Sequence, residues 1–178
     1  FSEVGALDST CAMAWWGRSI SAGPNINNPF MDSAAAYAAW EAVNRAVHLS
    51  PYVSEVEQDL IRALASRYTW PIPEDRKALD VAYAGAMKGV WLKHPDDPDV
   101  GVLFAEALMD LRPWDLWNTD GQPQPGTEEI IATLDAVMKS STALAHTALY
   151  GPGMSTRRSP VMHARNKPWL TTMEKRKR

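Results

Sequence analysis

The densest group of residues able to do chemistry lies where a helical pattern stops, in Arg112-Pro113-Trp114-Asp115-Leu116-Trp117-Asn118. Two aromatic faces bracketing a carboxylate, with a guanidinium before and an amide after, can hold a peptide, a sugar or a cationic group. The plainer alternative is a loop that folds back as a hydrophobic staple between helices. A second group is the loop SAGPNINNPFMD, in which Asn25, Asn27 and Asn28 either bond their own backbone or line a site. The third candidate is His146, the one mid-helix histidine, read as a packing residue or as a ligand in a groove. Together the asparagine loop, Asp115 and His146 would supply oxygen and nitrogen donors if they converged.

Other reactive types fit structural roles better. Glu106, Asp110 and Asp115 imitate hydrolase carboxylates, but a solvated or capping role is the simpler reading. His48 and His94 sit at expected helix ends, where a cap explains them. Cys11 falls near the start of a helix, whose dipole favours a thiolate, yet no base is identifiable beside it. Neither GPNINN nor DGQPQPG has the composition of a phosphate loop, and no HExxH occurs. The sequence therefore names no reaction, cofactor or metal.

The elements that must position these residues are helices. Asp96–Asn118, DDPDVGVLFAEALMDLRPWDLWN, is the organising stretch: Pro98 and Asp99 open a helix, Val102, Leu103, Ala105 and Leu108 form its expected inward side, and Arg112-Pro113 ends it. Before it, Leu79, Tyr83, Ala86, Met87 and Val90 predict a helix from Asp75 that closes at His94-Pro95. Residues 1–9 read as the last turns of a helix, with Phe1, Val4 and Leu7 at helical spacing, which implies a longer parent. Thr10–Ile20 has a stripe of Ala12, Met13, Trp16, Gly17 and Ile20, and Gly17 predicts a close approach. Ser33–Leu49 is alanine-rich. Tyr52–Tyr68 carries a capping-box spacing at Ser54 and Glu57. Thr127 is expected to cap a helix running to about Lys139 with Ile130, Ile131, Leu134, Val137 and Met138 inward, and Ala143–Tyr150 begins another. No segment alternates at period two for long, so no sheet is expected.

With 178 residues, 46% hydrophobic and 22% charged, the chain is long enough for one ordinary domain or a short run of repeats. The net charge of −3 conceals an asymmetry: residues 1–154 carry −10, and residues 155–178 carry +7. An acidic body makes nucleic acid an unfavourable partner except through the basic tail. One cysteine excludes an internal disulfide. No apolar run approaches a membrane span, and the compartment stays open, with the cytoplasm favoured.

Helices of this length, paired by short proline-bearing turns, suggest an internal repeat. On the tetratricopeptide pattern, Trp16 and Gly17 take the large apolar and glycine places, Ala39, Val43 and Ala46 the small, aromatic and small places, and Pro51 closes the unit. Phe1, Val4 and Ser9 fill the corresponding late places of a preceding unit. Tyr83, Met87 and Val90 do so more weakly before Pro95. Over residues 1 to about 150 the chain resembles a bacterial family of larger tetratricopeptide-repeat proteins of uncharacterised function, through LDSTCAMAWWGRSISAGPNINNPF, KHPDDPDVGVLFAEALMDLRPWDLW and TDGQPQPGTEEIIATL. The resemblance implies a histidine pair four residues apart; His146 matches its first member, and Tyr150 replaces the second.

The expectation is thus an all-α, tetratricopeptide-like superhelix of helical hairpins over residues 1–153, followed by a basic tail, 154–178, without fixed structure. Its expected function is protein or peptide binding in the concave groove, with Asn25, Asn27, Arg112, Trp114, Asp115, Trp117 and His146 as candidate contacts. The alternative is an enzyme or metal-dependent small-molecule site inside the superhelix. The exposed N-terminal half-hairpin offers a possible route to self-association.

Overall fold

The computed structural model describes the backbone of residues 1–150 and the side chains of residues 1–141. The described residues form seven α-helices in the order α1 (Ser2–Leu7), α2 (Ala12–Ala22), α3 (Ser33–Leu49), α4 (Glu55–Ala65), α5 (Lys77–Lys93), α6 (Pro98–Met109) and α7 (Thr127–Tyr150), with a 3-10 turn at Ser50–Tyr52. Among the described residues there is no strand, only isolated bridges between Asn25 and Asn28 and between Trp117 and Pro123. The chain divides into a unit Phe1–Leu144 and a unit Ala145–Arg178. Of the second, only the last turns of α7 are described. The basic tail and the His146 side chain lie outside the described residues.

Packing in the first unit is mainly between neighbours in sequence: α1 with α2, α2 with α3, α3 with α4, α4 with α5 and α5 with α6, with α2 against α3 the most extensive. Sequential packing lets each amphipathic helix bury its apolar stripe against a neighbour in sequence. Local signals set the starts. Asp32 accepts from the Ala35 amide at the head of α3, and Ser54 and Glu57 close a reciprocal capping box at α4. At α6 the cap is Asp97, which accepts from the Asp99 and Val100 amides, with Pro98 at the first helical position.

Burial corrects two of the expected stripes. In α6 the buried residues are Val100, Gly101, Phe104, Ala105 and Ala107, whereas Val102 is 47% exposed. Four apolar residues at consecutive or near-consecutive places allow more than one phase of a helix, and the neighbours selected the phase that seats Phe104. In α7, Ile130, Thr133 and Val137 are buried, while Ile131 and Met138 face outward. The Thr127 hydroxyl does not serve as an expected N-cap acceptor; it donates to the Leu116 carbonyl at 2.6 Å. The break expected near Lys139 is absent, because Ser140, Ser141 and Thr142 weaken a helix without the glycine or proline that would end it. Phe1, Val4 and Leu7 are all exposed, although the Phe1 ring also lies over Gly17, where a Cβ would collide with it.

The core runs between α3, α4, α5 and α6 through Val43, Leu60, Leu64, Tyr83, Met87 and Phe104. Buried polar groups tie it together. The Ser19 hydroxyl donates to the Ala39 carbonyl at 2.8 Å, and the Tyr68 hydroxyl donates to the Ser19 carbonyl at 3.3 Å. Burial pushes the Tyr68 phenol up to about 12, so it remains a neutral donor.

Candidate functional site

Four segments meet at one end of the helices around a cleft of about 670 Å³. Pro29 comes from the α2–α3 loop; Asp75, Arg76, Lys77, Asp80 and Val81 come from the start of α5; Leu108, Asp110 and Leu111 come from the end of α6. Arg112, Pro113 and Asp115 follow, and Pro125 and Gly126 close the wall just before α7. The volume is within the range that holds small ligands or a few peptide residues. Helix ends gather here because each leaves unpaired backbone groups that favour an exposed, polar setting.

Beneath the cleft is a buried ion network. Arg67, just past the end of α4, is 2% exposed, and its Nη2 donates to Asp110 Oδ2 at 2.7 Å while Nε donates to Asp80 Oδ1 at 3.2 Å. Arg76 grips Asp80 with two nitrogens, at 2.9 and 3.2 Å, and its Nη1 reaches Met31 Sδ at 3.2 Å, pinning the α2–α3 loop. The Arg67 guanidinium lies 4.7 Å from the centroid of the Tyr83 ring. Burial works against the Arg67 charge, but the surrounding phenols and Asp110 hold it above its ordinary range. For Asp110, whose side chain is 5% exposed, burial outweighs the attraction of Arg67 and pushes the carboxyl up from 3.8. Its Oδ1 is buried and has no hydrogen-bond partner.

Of the two expected roles, solvated or capping, Asp110 takes the second: it is the C-cap of α6, with its carboxylate buried rather than solvated. Arg67 and Asp80 did not stand out in the sequence, since each looks like an ordinary polar residue near a helix end. What could have pointed to them is the apolar company of Arg67, between Leu64 and Tyr68, in a segment otherwise committed to the core.

The predicted site residues divide. Arg112 and Asp115 both line the cleft and pair at 3.2 Å. Trp114, between them in sequence, is 77% exposed and adopts a left-handed conformation with φ of 63°. Trp117 is 52% exposed. Neither indole lines the cleft, and neither folds back as a staple. Their loop is held from behind: Asn118 Oδ1 accepts from the Asp120 and Gln122 amides, and the Gln124 amide donates to the Leu116 carbonyl at 2.9 Å. Asn25 and Asn27 do not join the cleft. Asn25 Oδ1 accepts from the Asn27 and Asn28 amides at 2.9 and 3.0 Å, which closes an Asx turn, and Asn27 is exposed.

The remaining expectations resolve locally. His94 is the C-cap of α5, as expected, its backbone N–H donating to the Val90 carbonyl at 2.9 Å; its ring pairs with Asp59 at 2.8 Å, and Asp59 also holds Lys93 at 2.7 Å. Trp15 is stacked by Arg18 and Arg45 at 4.6 and 5.5 Å from the ring centroid, and its indole donates to the Ser9 carbonyl. An unforeseen surface cluster joins Tyr37 to Trp70, edge-on at 5.1 Å, and to Trp40 at 5.9 Å. Among the described residues, no three His, Cys, Asp or Glu side chains are arranged to hold a metal ion, and no helix is long and apolar enough to cross a membrane. No family model, curated protein or solved structure matches the chain.

Proposed function

We propose that this chain is a tetratricopeptide-like helical-repeat scaffold that binds a protein or peptide segment. The binding place in this reading is the cleft at the helix ends together with the Trp114–Trp117 loop, rather than a concave groove along the helix faces. The observation that carries it is a mixed wall of apolar and charged side chains from four segments, bordered by a loop whose hydrogen bonds hold two tryptophans out in solvent. Exposed indoles on a braced loop cost little conformational entropy on binding, which is why aromatic anchors dominate recognition surfaces. The order of packed helices also suits a repeat scaffold: α2 packs on α3, α4 on α5 and α5 on α6, each on its neighbour in sequence.

The test is selection from a random-peptide display library on the full chain, followed by fluorescence anisotropy with the enriched peptides. Trp114→Ala with Trp117→Ala is expected to weaken them by roughly tenfold or more, as loss of anchor residues does. Failure to enrich any peptide above a blank surface, or equal binding by the doubly substituted chain, overturns the reading.

A further inference from the structure

Resting on the reading of the cleft as a peptide site, we infer that its guest is a basic peptide whose lysine or arginine side chain donates to Asp110 Oδ1. The hydrogen-bond inventory of the wall identifies what is missing. Both oxygens of Asp80 are taken by Arg67 and Arg76, and Asp110 Oδ2 is taken by Arg67. Asp110 Oδ1 alone is buried without a donor, on a side chain that lines the cleft and is 5% exposed. A buried acceptor left unmade costs free energy that a guest supplying the donor recovers. The nearby guanidinium groups are committed elsewhere: Arg67 spans Asp80 and Asp110, and Arg76 spans Asp80 and Met31.

Charge decides the class of donor. The cleft is lined by four carboxylates, Asp75, Asp80, Asp110 and Asp115, against the cations Arg76, Lys77 and Arg112. Residues 1–154, which include this wall, carry a net charge of −10 in a chain whose total is −3, and a recessed acidic wall attracts cations. Burial already raises the proton affinity of Asp110 despite Arg67, so one guanidinium undercompensates this carboxylate. A second cation satisfies both the vacant lone pair and the residual charge, where a neutral amide satisfies only the first. Oδ1 is buried as the wall stands, so a guest meets it only after a side-chain movement that leaves the Arg67–Oδ2 bond in place.

The experiment follows backbone amide shifts of the isotope-labelled full chain during titration with N-acetyl-arginine amide, N-acetyl-lysine amide and N-acetyl-alanine amide. Titration to about 50 mM detects millimolar affinities. Saturable shifts at residues 108–115 are expected with the two cationic probes, about tenfold weaker with the alanine probe, and Asp110→Asn should weaken the arginine probe by a similar factor. Because Asp110 is buried, a second variant guards against misfolding: Val81→Lys, at a 52% exposed position on the cleft wall, should weaken the cationic probes and spare the alanine probe. If the alanine probe binds as well as the arginine probe, the cation assignment is overturned and the peptide-site reading survives. Unchanged binding in a folded Asp110→Asn chain, or saturation of no cleft amide by any cation, also overturns the inference. Those results leave the display selection to judge the peptide-site reading separately.

Discussion

Arg67→Met is the substitution that most directly probes the floor of the cleft. It keeps a long apolar stem against Tyr83 and removes the guanidinium from a position 2% exposed. Asp80 retains Arg76, but Asp110 is left as a carboxylate with neither oxygen paired. Removing one partner of a buried pair destabilises by about 3–5 kcal/mol when the other stays charged. Asp110 has an escape, because it can take a proton. Its pKa is already raised in the native fold, and losing Arg67 raises it further. A raised carboxyl pKa contributes stability that is fully present below the unfolded value and is lost as pH rises through the folded value. The variant should therefore recover relative to the parent as pH falls from the folded Asp110 pKa toward 3.8. Moving from about pH 7 to about pH 5 should return part of the loss.

Urea unfolding of both proteins at these two pH values measures the difference directly. Arg67→Met combined with Asp110→Leu should recover most of the loss at neutral pH, since an apolar pair replaces the ionic one. A cost below about 1 kcal/mol at pH 7, well under the range for a broken buried pair, would refute the account of Arg67 as the compensating charge. A cost equal at both pH values would refute the account of Asp110.

Two further outcomes separate packing from conformation. Gly89→Ala, where an added methyl meets nothing, should stabilise the chain by up to about 1 kcal/mol, whereas Gly101→Ala, where it meets Val137 and Trp91, should destabilise by about 1–3 kcal/mol; thermal unfolding distinguishes the signs. Trp114→Gly relieves a left-handed backbone that costs a bulky residue roughly 1–2 kcal/mol, so stability should hold or rise while the peptides selected on the parent bind more weakly, as calorimetry and anisotropy would show.

The sequence by itself determined the all-α class, the helix order and most of the starts. Those features depend on chemistry within one turn: a serine and glutamate three apart, an aspartate before a proline, a glycine in an apolar stripe. The left-handed Trp114 and the Asx turn at Asn25 show the limit of that reading. Asparagine clusters and tryptophan pairs mark a loop, but which side chain bonds its own backbone and which faces solvent depends on how the loop ends are held. Only the tertiary structure decided the phase of α6, where Phe104 outcompeted Val102 for the core. It alone brought together Arg67, Asp80 and Asp110, whose 13- and 43-residue separations no local rule connects. Helical periodicity specifies which face is apolar; the burial of a charge depends on what packs across from it, and that partner comes from elsewhere in the chain.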